Sequence, residues 1–404
     1  MLFAVAAEWV YGALRVVLAG LRSLYFLQAL NAVLGAICAW IVWRQGGWIA
    51  ACLLAFGATW WKFSTDANAY IVSVLFLLLA VGFLADNRKP KPIAVALLHA
   101  CAMLMHELAV LFVVVALFGI WRQGGRRVRN VVVYLATAFV VTSAVYFACF
   151  RVVTGRGDIQ SYASWIAYHT PDSHFSFQIF RSAGLSLLGT ARLFAGGGVR
   201  LFQAGVVSVV AVVIAAGAIA LLGRLRSPVL RSKAALCGIW VAVYALFLLF
   251  WMPQNTFYRL FYWPPLAMLI ALWFSKRPRV AAVFIPALVL WNFLFFVYPR
   301  SRPESNRVLT VAEAMRGVWK PGAIVFEGSF HTDNWLVWYF NPEVIFKDLD
   351  GDPVGEIESA ARMREVWLEE SGLARLRSTE GGPEWLDRHA RPGRYSPRFT
   401  RVTP

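Results

Sequence analysis

The stretch Tyr70–Arg129, YIVSVLFLLLAVGFLADNRKPKPIAVALLHACAMLMHELAVLFVVVALFGIWRQGGRRVR, decides how this chain reads. An apolar run closes on Arg88, Lys89 and Lys91. Two further apolar runs, joined by His106–Glu107, close on Arg122, Arg126, Arg127 and Arg129. Outward from there the same alternation holds. Basic residues recur at Arg44, at Arg224, Arg226, Arg231 and Lys233, and at Lys276, Arg277 and Arg279, with two apolar stretches between successive clusters. Lys and Arg gathered in alternate short loops are the charge bias that orients a polytopic membrane protein, basic loops inside.

Composition agrees. Hydrophobic residues make up 59% of the 404 residues, and mean hydropathy is +0.59. That is the balance of lipid-facing helices rather than of a soluble domain. The net charge of +17 resides in the membrane part: residues 1–298 hold 24 basic and 6 acidic residues, whereas 299–404 hold 15 and 16. Basic loops of this kind meet anionic lipid headgroups and are no face for nucleic acid. The five cysteines all fall in apolar segments and show no metal or disulfide spacing.

Apolar length and the basic clusters predict about ten spans: 21–43, 47–62, 69–86, 92–105, 108–121, 130–150, 201–223, 233–252, 260–275 and 280–298. Residues 1–20 carry Glu8 and Arg15 in an apolar helical period and predict an amphipathic helix on the outer interface. Residues 299–404 predict a small extracytoplasmic α/β domain. VLTVAEAM reads as a helix, Pro321–Gly322 as a turn into a strand, NWLVWYF as a helix, EVIFKDL as a second strand and 355–376 as a helix; the Arg/Pro/Gly-rich stretch from Thr379 predicts little order.

The outer connections then hold the candidate chemistry. Asp66 lies in FSTDAN, where the bland alternative is an acid meeting the dipole of the next helix. His106–Glu107 interrupts an apolar run; in one unbroken helix it would put a carboxylate near mid-membrane at a cost of roughly 3 kcal/mol. Two short spans put it at the outer surface instead, as a turn or a substrate contact. His99, seven residues earlier, shares a helical face with His106 across two turns, and with Glu107 the pair offers a metal set that no spacing motif supports. Tyr258 and Arg259 lie in NTFYRLFYWPPL, where a guanidinium suits a phosphate or lipid headgroup. Asp158, His169, Asp172 and His174 fall in a long connection from Arg151 to Arg200, whose Tyr162, Trp165 and Tyr168 fit an interfacial helix.

Three passages resemble the GT-C superfamily of membrane glycosyltransferases, which includes protein O-mannosyltransferases and lipid A aminoarabinose transferases. They are LYFLQALNAVLGAICAWIVWR (24–44), TWWKFSTDANAYIVSVLFLLLA (59–80) and YRLFYWPPLAMLI (258–270). The resemblance implies transfer of a sugar from a polyprenyl-phosphate donor to a lipid, glycan or protein acceptor outside the cytoplasm. It implies that Asp66 supports the acceptor or a divalent metal, that Arg259 with Tyr258 holds the donor's phosphate, and that His106 and Glu107 orient the acceptor or sugar. Glu107 is a stand-in for the base. Family members carry their best-known catalytic acid in a first outer loop after an initial span. This sequence opens on what resembles that loop's last helix, which leaves an inactive accessory subunit as one alternative and a transporter or flippase of a lipid-linked glycan as another. A bacterial inner membrane is the expected location.

Overall fold

The computed structural model describes residues 23–86, 90–168, 175, 177–197, 205–210, 213–214, 217, 228–302, 304, 307–328, 335–349, 352–392 and 398–402. The interfacial helix expected over 1–20, most of the span expected over 201–223, and His169, Asp172 and His174 lie outside these residues. The chain divides into two units, Met1–Val297 and Tyr298–Pro404.

The first unit is a bundle of helices. In order they are α1 (Ser23–Gly46), α2 (Trp48–Phe56), α3 (Ala58–Ser64), α4 (Tyr70–Ala85), α5 (Pro92–Met105), α6 (Val113–Gln123), α7 (Arg127–Thr154), α8 (Ile159–Tyr168), α9 (Ile179–Phe194), α10 (Pro228–Phe250), α11 (Trp263–Phe274) and α12 (Pro278–Asn292). α5 packs between α4 and α7, α1 against α2 and α4, and α11 against α2 and α10. Leu77, Leu78, Val115, Ala116, Trp240, Leu260 and Trp263 fill the interior. The outward faces are apolar too: Val33, Trp40 and Trp43 on α1, Val132, Phe139 and Val140 on α7, Val283 and Leu290 on α12. A helix apolar on both its packed and its open face belongs in lipid. Among the described residues, Leu24–Gly46, Arg127–Thr154, Lys233–Phe250 and Pro278–Arg300 are long and apolar enough to cross a membrane; Tyr70–Ala85, Pro92–Met105 and Trp263–Phe274 are shorter apolar helices.

Two features of this unit depart from the sequence reading. The segment expected as one span over 47–62 breaks at Gly57, because α9 and α11 press on it. A Cβ there would sit 2.8 Å from the Leu193 carbonyl oxygen and 2.9 Å from the Trp263 ring. The amide of Asn292 repairs the break by donating to the carbonyls of Phe56 (2.8 Å) and Phe194 (2.6 Å), while its oxygen accepts from Gly196 N–H (3.1 Å). Apolar surroundings demand such repair of exposed backbone groups. Second, the long connection Arg151–Arg200 contains α9, which the sequence reading did not expect. α9 packs against α10 and α3, and its buried residues are small Ser182, Gly189, Thr190 and Ala191 followed by Leu193 and Phe194; small residues let membrane helices approach closely.

The second unit carries a five-stranded sheet in the order β2-β1-β3-β5-β4. Its strands are β1 (Ile324–Glu327), β2 (Ile345–Asp348), β3 (Val366–Glu369), β4 (Ala390–Pro392) and β5 (Phe399–Val402), with helices α13 (Arg307–Ala314), α14 (Trp335–Phe340), α15 (Pro353–Ala361), α16 (Glu370–Arg377) and α17 (Gly382–His389). β1 pairs in parallel with β2 and β3, with Ile324 opposite Ile345 and Val366; β5 is antiparallel to both β3 and β4. The helix expected over 355–376 is therefore two helices around β3, whose four residues are all buried. The stretch after Thr379, expected to have little order, supplies α17, β4 and β5.

At the end of β3, Glu369 is buried and accepts from Ser371 N–H (2.7 Å), the Ser371 hydroxyl and Arg398 Nε (2.9 Å). Burial acts to raise its carboxyl, but these donors outweigh it and hold the group below the usual carboxylate range. The linked stability is present above the unfolded value of about 4.3 and is lost as pH falls through the lower folded value. Arg398→Ala should strand the buried carboxylate and cost this unit about 3 kcal/mol at pH 7. The measurement is amide exchange at β3; unchanged protection at pH 7 would show that the pair does not hold the strand.

Candidate active site

Asp66 sits in the connection between α3 and α4. The connection is pinned from α1, where fully buried Asn31 donates from Nδ2 to the carbonyls of Asp66 (2.6 Å) and Asn68 (2.8 Å). Asn68 completes the turn: its amide donates to the Phe63 carbonyl (2.6 Å), and its Oδ1 accepts the first N–H of α4, that of Tyr70 (3.0 Å). Asp66 uses one oxygen on the adjacent Ala67 N–H (2.9 Å). Asn68 thus supplies the oxygen at the helix start, and the Asp66 carboxylate is not consumed as its cap.

His106 and Glu107 join α5 to a 3-10 turn, Glu107–Phe112, that leads into α6. The cap of this turn is His106, whose Nδ1 accepts from Leu108 N–H (3.2 Å). That bond leaves the ring proton on Nε2 as a donor. The imidazole packs against Tyr70, Phe261 and Tyr258, with ring centres 4.6, 5.0 and 5.8 Å away. Burial lowers its pKa to about 4, so the ring is neutral at pH 7. Glu107 keeps an exposed side, yet the desolvation it does suffer lifts its carboxyl above the ordinary range. His99, by contrast, is a staple inside the bundle. Its Nε2 donates to the Ala109 carbonyl (2.8 Å) and its Nδ1 accepts from Tyr134 OH (2.7 Å). Both nitrogens are used, so the metal set of His99, His106 and Glu107 does not form. Among the described residues no three His, Cys, Asp or Glu side chains converge on a metal-sized site.

The connection from α10 to α11 turns through Met252, which has a left-handed backbone (φ 52°), into a 3-10 turn over Phe257–Phe261. Tyr258 stacks on Trp251 (5.0 Å) and lies beside Tyr70 (6.2 Å). Partial burial, with the Glu107 charge adding to it, pushes its phenol up. Arg259 is fully buried. Its guanidinium donates to Tyr262 OH (2.6 Å), the Pro253 carbonyl (2.6 Å), Ser186 Oγ (3.0 Å) and Thr190 Oγ1 (3.4 Å). Every one of these acceptors is neutral, and among the described residues no carboxylate pairs with it. The backbone of α9 comes so close that a Cβ on Gly189 would lie 2.5 Å from Arg259 Nε. Gly189→Ala should therefore displace the guanidinium and cost about 1–3 kcal/mol. The check is a lowered unfolding midpoint of the detergent-solubilised protein, and an unchanged midpoint would contradict this packing.

The structure brings three connections together at one end of the bundle. Tyr70 is the hub, touching Phe63 from the first, His106 from the second, and Phe257 and Tyr258 from the third. Tyr146 and Cys149 of α7 and Trp165 of α8 add a wall beside His106 and Glu107, around a cavity of about 240 Å³. Sequence reasoning did not single out Asn31, Tyr70, Tyr146, Ser186, Thr190 or Tyr262. Asn31 carried a signal, since an amide inside an apolar helix is costly unless bonded. Asp158, from the long connection, caps α8 through Ser161 N–H (2.7 Å) and stands in solvent.

Neither a protein-family profile nor a curated protein matches the chain. Its structure is similar to the crystal structure of ArnT from Cupriavidus metallidurans bound to undecaprenyl phosphate. The TM-score is 0.59 at 13% identity, over 98% of this chain and 86% of that one. The apo structure of the same protein aligns at a TM-score of 0.39 and 13% identity, over 88% and 80%. The chain therefore has a GT-C-like, multi-pass membrane fold with a small sheet.

Proposed function

We propose that this chain is a membrane glycosyltransferase that takes a sugar from a polyprenyl-phosphate-linked donor and gives it to a lipid, glycan or protein acceptor on the extracytoplasmic face. The observation that supports this best is the convergence of the Asp66, His106–Glu107 and Tyr258–Arg259 connections at one end of a bundle. That bundle shares its fold with an ArnT structure that binds undecaprenyl phosphate. The charge pattern of the loops supports a non-cytosolic position for that end; in the same reading the second unit is extracytoplasmic and the membrane is a bacterial inner membrane.

In this reading an acceptor hydroxyl attacks the anomeric carbon of the donor. The bond from that carbon to the phosphate oxygen breaks, and polyprenyl phosphate leaves with the bonding electrons. The hydroxyl proton passes to a carboxylate. Glu107, with its raised carboxyl, suits that role, because a base works best when its pKa approaches the working pH. Asp66, on a braced connection, orients the acceptor. Neutral His106 donates from Nε2 to the sugar or the hydroxyl. Arg259, enclosed in neutral acceptors, supplies a fixed positive charge within the wall as negative charge grows on the phosphate, and Tyr258 stands at its mouth.

The testing experiment is transfer by purified protein in proteoliposomes, offered a panel of polyprenyl-phosphate sugars. Release of polyprenyl phosphate together with a glycosylated acceptor is the expected result. The sidedness is tested separately: cysteines placed at Asp66 and Tyr258 should both react with an impermeant thiol reagent from the outer face. Labelling from opposite faces would end the proposal.

A further inference from the structure

The cavity beside Glu107 has a composition of its own. An open pocket of about 240 Å³ is lined by Leu104, Met105, His106, Glu107, Tyr146, Cys149 and Trp165, a size that suits one sugar ring. The wall offers an indole (Trp165), a phenol (Tyr146), a carboxylate that accepts (Glu107) and an imidazole whose Nε2–H donates, since Nδ1 is held by Leu108 N–H. Trp165 is itself braced by Phe150 (5.8 Å) and Tyr162 (6.4 Å, stacked), so its ring is pre-oriented. Aromatic faces cover the C–H face of a sugar, while the carboxylate and imidazole meet its hydroxyls. Among the described residues the lining holds no lysine or arginine. A phosphate or a uronate would face the Glu107 carboxylate, a like charge that disfavours both.

We infer that this cavity is a subsite for a single sugar ring that carries no negative charge, with Trp165 and Tyr146 as its platform and Glu107 as the residue that rejects anionic sugars. The inference deepens the glycosyltransferase reading and rests on it for its biological meaning. Its test is a binding measurement that needs no turnover. The ring could belong to the donor or to the acceptor, and the shared chemistry is the same.

Cys149 lies in the wall and its thiol is free, so it reports occupancy. Purified full-length protein is treated with methyl methanethiosulfonate, and modification of Cys149 is followed by peptide mass spectrometry. Methyl glycosides of neutral and amino sugars, at ten times their dissociation constant, should slow the reaction about tenfold. Methyl glucuronide and undecaprenyl phosphate alone should not. Trp165→Ala should remove the protection. Glu107→Gln, which keeps the shape of the side chain, should retain it and admit methyl glucuronide. Protection that persists in saturating undecaprenyl phosphate assigns the ring to the acceptor; protection that it displaces assigns it to the donor. A Cys149 that never reacts, that no glycoside protects, or that undecaprenyl phosphate alone protects would overturn the inference. Because protection is independent of transfer, a protein that binds glycosides but transfers nothing would fail the glycosyltransferase reading alone. One that transfers without protection would fail this subsite alone.

Discussion

Asp66→Asn is expected to lower the transfer rate by about a hundredfold or more while leaving insertion and folding unchanged. The magnitude is that of removing a positioned carboxylate from a proton-handling or substrate-orienting role, typically about 10²–10⁴. Folding should survive because the side chain carries little of the local structure. The braces of this connection are Asn31 on two backbone carbonyls and Asn68 on the start of α4. Asp66 contributes a single bond to its neighbour's N–H, which an amide oxygen also accepts. Near-isosteric Asn thus removes charge and basicity alone. Activity would be followed as label moved from a polyprenyl-phosphate sugar, with melting in detergent as the folding control. Full activity in the Asn variant would remove Asp66 from the site.

Arg259→Ala should be at least as damaging. A fixed donor lost from a site of developing negative charge costs about 10²–10³ in rate. Here the guanidinium also closes the α10–α11 connection onto itself through Pro253 and ties it to α9 through Ser186 and Thr190. Ala would leave those groups unpaired, and part of the loss would be structural. Arg259→Lys separates the two contributions. Lys keeps the charge in the wall but cannot reach four acceptors with the planar fork. If charge on the phosphate is what matters, Lys should restore a measurable share of the rate at a reduced melting temperature. If Ala and Lys variants are equally inactive although folded, the fork geometry is what matters and the charge argument fails.

The parts of the fold legible in the sequence are those written in apolar periodicity and terminal charge. α1, α4, α5, α7, α10 and α12 are apolar runs ended by basic residues, which burial in lipid makes unambiguous. α9 was not legible because four of its six buried residues are Ser182, Gly189, Thr190 and Ala191, with Leu193 and Phe194 only at its end. Small polar residues pack by closeness, and a hydropathy pattern does not register that. β3 was hidden for another reason: four residues, Val366–Glu369, sit between helical segments rich in Glu, Ala and Arg, and only pairing with β1 and β5 makes them a strand. At the site, the three connections could be read from loop position and residue type. The partners could not. Two of the four acceptors of Arg259, Thr190 and Ser186, lie 69 and 73 positions away, a separation that only the folded chain closes.

Asn292 has a consequence for biogenesis. It satisfies the Phe56 carbonyl across 236 residues of chain. At synthesis rates of about 5–20 residues per second, the α2–α3 segment emerges from the ribosome roughly ten to fifty seconds before its amide partner exists. During that interval the insertion machinery or a bound water must serve the orphan carbonyl, or the segment must stay as one straight helix. Where the segment stays straight, the break at Gly57 is a late event, set when α12 docks.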